Sequence, residues 1–333
     1  MSATPEPTNP ELDDSTSSNG RLITPRRVLI EGTGFLVGLS LLAWIIKNAL
    51  QTGDWEKVLH ADPWLVTALL GCTIASMSIN GATFWITGQP IAPLKFWDMQ
   101  WLNMTGNLLN YAPVRLGAIA RVMYHLRVDG LSLLQVTAWF GMIGYILMMG
   151  VGSCVFATMA HPTIDLLWVG IVLGLMALGG LLTRVLVDHP LIAKHGRGID
   201  RMLSEHKPLW GAIILRLLDL AAYAGRMAAA LMILDITLPG SDIVILAMVA
   251  FVSQLIPLGR LGFREFSVAY AAKWLSSQGK DAASELPWEQ LALIESAGEA
   301  IIFIPVGVFA LLWYRKRWRQ ARVGDDLKAD SAD

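Results

Sequence analysis

Residues 107–121 read NLLNYAPVRLGAIAR, and residues 254–265 read QLIPLGRLGFRE. Both stretches interrupt long apolar runs, and both contain the tripeptide Arg-Leu-Gly, at 115–117 and 260–262. Pro113 and Pro257 break a helix by removing a backbone donor and clashing with the preceding turn. Arg115 and Arg260 are costly in hydrocarbon, by at least about 2.5 kcal/mol on insertion scales. Irregular backbone at membrane depth is tolerated only where it is buried in protein or lines a cavity. Two such breaks in corresponding places predict a binding site between two halves of a transporter-like fold.

The rest of the chain supplies the membrane. It has 333 residues, 54% of them hydrophobic and only 16% charged, with a mean hydropathy of +0.50. That is the composition of a polytopic membrane protein, and no stretch outside the apolar runs is long enough for a soluble catalytic domain. Residues 1–25 are rich in Pro, Thr, Ser, Asn and acidic groups and are expected to form a disordered cytoplasmic tail. The membrane domain is expected over 26–317, followed by a second cytoplasmic tail, 318–333. Cys72 and Cys154 both fall inside apolar runs, so they read as packing residues without a disulfide. The six histidines have no metal-ligand spacing, and neither a metal nor a cofactor is expected.

Spans of roughly 20 apolar residues are predicted at about 28–47, 64–87, 132–158, 164–187, 209–234 and 289–314. The regions 96–127 and 243–277 are broken around Pro113 and Pro257. Each arm of a broken region holds roughly 15 residues, about 22 Å as helix, which is short for a span and suits a hairpin reaching the midplane. The alternative is a pair of ordinary short spans in each region. Arg21, Arg26 and Arg27 place the N-terminus inside, as Arg315, Lys316, Arg317, Arg319 and Arg322 do for the C-terminus. Lys194, Arg197, Arg201 and Lys207 put the 188–208 loop inside as well. The fold class that follows is an all-α polytopic membrane protein with about six full spans and two re-entrant hairpins. The hairpins enter from opposite sides, in an inverted-repeat arrangement. The pairs Gly34/Gly38 and Gly170/Gly174 read as close helix-packing sites.

Ionisable groups at membrane depth are the functional candidates. The basic set is Arg115, Arg121, Arg216, Arg226, Arg260, Arg264 and Lys273; the acidic set is Glu31, Asp219, Glu265, Glu295 and Glu299. A cavity with surplus guanidinium suits an anionic headgroup, because the planar fork of Arg matches phosphate oxygens. Arg115, Arg121, Arg226, Arg260, Arg264 and Asn107 are therefore the expected substrate-binding residues. Pro113, Gly117, Pro257, Gly262, Glu265, Asp219 and Glu299 are the expected structural and gating set. Arg216, Asp219, Tyr223 and Arg226 share one helical face. They form either a polar stripe lining the cavity or an internal Arg–Asp pair, with Arg226 as the surplus cation. Glu295 and Glu299 are one turn apart, with Glu299 expected to be the buried member and a partner for a hairpin arginine, or a proton-coupling group. Asn103, Asn107 and Asn110 are placed to satisfy backbone freed at Pro113. Tyr111, Trp97, Trp101, Trp274 and Trp288 read as interfacial anchors.

In the order Asn107, Pro113, Arg115, Gly117, Arg121, then Pro257, Gly262, Phe263, Arg264, Glu265, the chain resembles a known family. It is the flippase-like membrane domain of lysyl-phosphatidylglycerol synthases and their stand-alone relatives, and the resemblance spans roughly 26–317. It implies a bacterial cytoplasmic-membrane protein that moves lipids or lipid-linked groups between leaflets. The family pattern has Glu where this chain has Ala118, and Pro-Gly-Gly where it has Leu258-Gly259-Arg260. The soluble aminoacyl-transfer domain of the synthases is absent from this sequence. The expected function is translocation of an anionic phospholipid or lipid-phosphate-linked intermediate, without enzymatic activity. The alternatives are an intramembrane lipid-modifying enzyme and an accessory subunit of an envelope lipid or glycan synthesis complex. The expected partners are membrane lipids with an anionic headgroup, with an envelope-biosynthesis protein as a further candidate and no nucleic acid.

Overall fold

The computed structural model describes residues 25–112, 116–187, 205–253, 262–278 and 287–330, and the regular structure among them is entirely helical. Long helices form where apolar residues run without a break: α1 (Pro25–Thr52), α3 (Pro63–Gly88), α6 (Leu133–Ala160), α7 (Leu166–Val187), α8 (His206–Ile233) and α11 (Trp288–Asp330). A short helix, α2 (Trp55–Leu59), lies between the first two. Local signals set the ends. Asp62 accepts from the Trp64 N–H at 2.8 Å, with Pro63 at the first helical position of α3. Ser132 and Gln135 form a reciprocal capping box at the start of α6.

Five of these helices are long and apolar enough to cross a membrane: α1, α3, α6, α7 and α11. The sixth expected span, α8, is 28 residues long but carries Arg216, Asp219 and Arg226, each no more than 1% exposed. The protein is thus a polytopic, all-helical membrane protein. Its large outward side chains fit a lipid surface: Leu36, Leu173, Leu181 and Phe309 are all more than 45% exposed. Helix α11 runs on to Asp330, through most of the segment expected to be a tail.

Both broken regions are pairs of short helices. The first comprises α4 (Phe96–Leu109) and α5 (Leu116–Arg127), the second α9 (Gly240–Ser253) and α10 (Phe263–Gln278). The arms hold 14, 12, 14 and 16 residues. At 1.5 Å per residue they reach about 18–24 Å, short of a hydrocarbon core of roughly 30 Å.

Helix α11 serves as a ruler for their depth. Arg317 pairs with Asp98 at 3.1 Å, and the Tyr314 hydroxyl donates to the Ala120 carbonyl at 3.2 Å, so the open end of the first hairpin lies beside residues 314–317 of α11. Its tip reaches Gly307, where an added Cβ would lie 2.6 Å from Leu108 Cβ. The second hairpin runs the other way: Lys273 lies 3.7 Å from Glu289, whereas Arg264, near the tip, meets Glu295 and Glu299. The tips therefore approach a common level from opposite ends, separated along α11 by the interval 299–307, about 12 Å. Pro305 falls within that interval.

Several packing expectations change. Gly38 does pack closely, against Gly262. Gly170 and Gly174 are exposed, and a Cβ at either would meet nothing within 4 Å, so they make no close helix contact among the described residues. Trp288 is not an interfacial anchor: it is fully buried in the core, because α11 begins beneath neighbouring helices rather than at a lipid surface. Trp97 and Trp274 are 68% and 54% exposed at the open ends of the two hairpins, as an interfacial role requires. Cys72 and Cys154 are free thiols.

Candidate functional site: a cavity between the hairpin tips

Gly262 begins the returning arm of the second hairpin with φ +83°, a conformation that glycine adopts without penalty. A Cβ at this position would lie 1.7 Å from the Gly38 carbonyl oxygen, so the tip is pressed against α1. Glu265 turns back to accept the Gly262 N–H at 2.7 Å and takes the Ser296 hydroxyl of α11 on its other oxygen, at 2.5 Å. The helix start is thereby capped by its own third residue.

Behind this cap lies a buried ionic cluster. The Arg264 guanidinium donates to Glu295 and to Glu299, and Arg226 of α8 pairs with the same two carboxylates. All four side chains are at most 2% exposed. Arg226 also sits 4.3 Å from the centroid of the Tyr223 ring. Charges this deep persist only with well-placed partners, since each ion gives up several kcal/mol of hydration. The expectation of Arg226 as a surplus cation is therefore corrected: it is committed to Glu295 and Glu299. Both glutamates are buried, not Glu299 alone. One helical turn apart, they point two carboxylates from one face of α11, where guanidinium forks from two different helices meet them.

The other half of the α8 stripe forms a separate pair. Arg216 donates to Asp219 at 2.7 Å, and Ser76 of α3 donates to the same carboxylate at 2.6 Å. The Arg216 guanidinium lies 5.5 Å from the Phe251 ring centroid. None of Arg216, Asp219, Tyr223 and Arg226 lines the cavity described below, so this stripe fastens α8 to its neighbours.

The first hairpin is joined by Arg121. From α5 it donates to the Asn103 carbonyl and side-chain oxygens at 3.2 and 2.9 Å and to Asn107 Oδ1 at 3.0 Å, while facing the Phe84 ring at 5.1 Å. Asn103 in turn donates to the Met77 carbonyl of α3 at 3.1 Å. The asparagines thus serve the α4–α5 junction through Arg121. Gly117 is required at this crossing, because a Cβ would lie 1.9 Å from the Gly106 carbonyl oxygen. Pro113, Arg115, Pro257 and Arg260 lie outside the described residues.

The tips share one cavity of about 490 Å³. Tyr111 comes from the first tip; Arg264 and Glu265 come from the second, and Ser296 from α11. Tyr111 is thus a cavity residue at mid-depth, not an interfacial anchor. The rest of the wall is almost wholly apolar, with Leu42 of α1, Val66, Leu69 and Leu70 of α3, and Leu293, Ile294 and Ile301 of α11. This is the shape of a site for a long apolar ligand with one polar end. Among the described residues no group of three or more His, Cys, Asp or Glu side chains is arranged to hold a metal ion. Sequence reasoning did not single out Ser296 or the apolar wall; the wall is an ordinary lipophilic pattern until the fold shows which face is enclosed.

No curated protein and no solved structure gives a significant match to this chain. A family model does, over residues 33–285, a shorter stretch than the resemblance read from the sequence and one that stops before the helix bearing Glu295 and Glu299. With its many apolar helices and hairpins broken at the expected places, this multi-pass membrane protein belongs to the lipid-handling family described as the lysylphosphatidylglycerol synthase TM region.

Proposed function

We propose that the protein is a lipid translocator that moves an anionic phospholipid, or a lipid-phosphate-linked intermediate, across a bacterial cytoplasmic membrane with both termini on the cytoplasmic side. The observation that carries this reading is the cavity walled by both hairpin tips. It joins a long apolar pocket to Tyr111, Arg264, Glu265 and Ser296. An acyl chain fits the apolar wall, and a phosphate fits the polar end.

Among the described residues, Arg264 is the cation that lines the cavity. It would exchange contacts between the headgroup and the carboxylates of Glu295 and Glu299, with Arg226 remaining on the carboxylates. Arg115 and Arg260, by their places in the two breaks, are assigned to the headgroup as well. Arg121 and Asn107 hold the arms of the first hairpin in register for it. Movement of one half against the other, with each tip approaching from its own side, passes the lipid from leaflet to leaflet. The chain acts in this reading without covalent chemistry.

The test is lipid movement in proteoliposomes with labelled anionic and zwitterionic lipids. Wild-type protein is compared with Arg115→Ala, Arg260→Ala and Ala297→Trp, the last placing an indole on the cavity wall where Ala297 is exposed. Faster movement of anionic lipid, lost in all three variants, is the expected result. Product formed from the lipid, or movement unaffected by Ala297→Trp, contradicts the proposal.

A further inference from the structure

Residues 53–62 join α1 to α3 and cross one end of the cavity. Trp55 and Val58, three apart on α2, line it, with Ala61 beyond them, while Glu56, Lys57, Leu59 and His60 are exposed. This strap is fastened to α11 by one side chain. Gln290 is fully buried; its amide accepts the Asp54 N–H at 3.0 Å and donates to the Asp54 carbonyl at 2.9 Å. Gly53 permits that approach, since a Cβ there would lie 2.9 Å from Gln290 Oε1 and 2.4 Å from the Ala49 carbonyl oxygen. A second tie, Lys57 to Asp235 at 3.1 Å, is an ion pair with side chains 41% and 74% exposed. Exposed pairs of this kind hold little, whereas the reciprocal amide pair is directional and rests on a buried Gln290 side chain.

The strap is bounded by Gly53 just past the end of α1 and by Pro63 at the start of α3, so it is a separate unit between two helix ends. Its inward face is apolar and its outward face polar except for Leu59, the pattern of a cover rather than of a span.

We propose that this strap is a gate at one end of the cavity, latched by Gln290, and that an aqueous path into the cavity opens at that end when the latch releases, separately from the side of the cavity where Val66, Ala297 and Ile301 are exposed. The gate rests on the reading of the cavity as a lipid site, but its test uses no lipid substrate, so the two fail separately.

Ala297, exposed on the cavity wall, is changed to Cys in a chain carrying Cys72→Ser and Cys154→Ala. The protein is reconstituted in vesicles, and reaction with a membrane-impermeant maleimide is timed. Loss of two part-buried hydrogen bonds in Gln290→Ala is expected to raise the rate about tenfold from the side on which α2 lies. Gly53→Ala, which pushes against the same amide, is expected to act in the same direction. Lys57→Ala is expected to change the rate less than about twofold. Where Gln290→Ala lowers the melting temperature sharply, Gly53→Ala carries the test. Unchanged rates in a folded Gln290→Ala or Gly53→Ala protein overturn the gate. Equal reaction from both sides of the wild-type vesicle does so too.

Discussion

The first hairpin is fastened at its junction by neutral amides, the second at its tip by carboxylates. In the first, the cation Arg121 is satisfied by oxygens of Asn103 and Asn107 and by the face of Phe84. In the second, Arg264 meets Glu295 and Glu299, together with Arg226 from a third helix. Two elements with the same outline, and with the same Arg-Leu-Gly tripeptide, thus use different chemistry. An amide clamp is local to one hairpin and to α3. An ionic cluster ties hairpin, α8 and α11 together, so displacing the second tip must disturb three helices at once. The difference teaches where a charged ligand would act most strongly: a headgroup competing with carboxylates for Arg264 changes the ionic contact that ties the second tip to both α8 and α11.

The comparison can be broken at its strong end first. Glu299→Ala leaves buried guanidinium groups short of a partner and is expected to cost about 3–5 kcal/mol in chemical or thermal unfolding. A loss below 1 kcal/mol would show that the cluster does not hold the second tip. Gly262→Ala tests the same tip by shape. A side chain at φ +83°, directed at the Gly38 carbonyl, is expected to cost about 2–4 kcal/mol from backbone strain and overpacking together, read in the same melts.

Arg121→Ala addresses the first hairpin. Oxygens of Asn103 and Asn107 lose their donor, for an expected loss of about 1–3 kcal/mol. Arg121→Lys should recover only part of it, because an ammonium cannot reproduce the spread of the guanidinium donors. A larger loss in Arg121→Ala than in Glu299→Ala would reverse the ranking of the two hairpins.

The smallest effect lies outside both. Asp165 caps α7, and its carboxyl is held below the usual range first by the Trp168 N–H and then by His161. A depressed carboxyl stabilises above its unfolded pKa, near 3.9, and loses that contribution as pH falls through the lower folded value. Hydrogen exchange at 166–169 should therefore be slower in wild type than in Asp165→Ala at neutral pH, and the difference should close below about pH 4. A difference that persists at lower pH would assign the effect to something other than the carboxylate.

Much of the architecture was legible because the membrane leaves few options. Long apolar runs must be helices, Pro113 and Pro257 must interrupt them, and arms of about 15 residues cannot cross a bilayer as ordinary spans. Helix α4 ends at Leu109 and α5 begins at Leu116, and α9 ends at Ser253 and α10 begins at Phe263, on either side of those prolines. The charged residues were legible as a set but not as partners. Arg226 and Glu295 are far apart in sequence, and nothing along a single chain says which acid meets which base. The Glu295/Glu299 spacing was the usable signal, since it places two acceptors on one helix face. The amide clamp was half visible: Asn103 and Asn107 were expected to satisfy backbone freed at Pro113, with Asn107 also expected to bind substrate, whereas in the structure both accept from Arg121. The strap, Gly53 and Gln290 carried no signal, because a short polar linker and a lone glutamine look alike in any membrane protein until the fold brings them together.

The opposed arrangement of the hairpins is tested most directly by sidedness. Lys95, just before the first hairpin, and Ser277, near the end of the second, are both exposed. Each is replaced by Cys in turn, in the background lacking Cys72 and Cys154, and labelled in oriented membrane vesicles with an impermeant thiol reagent. The account predicts that Cys at 95 is labelled only from the cytoplasmic side and Cys at 277 only from the opposite side. Labelling of both from the same side would contradict it.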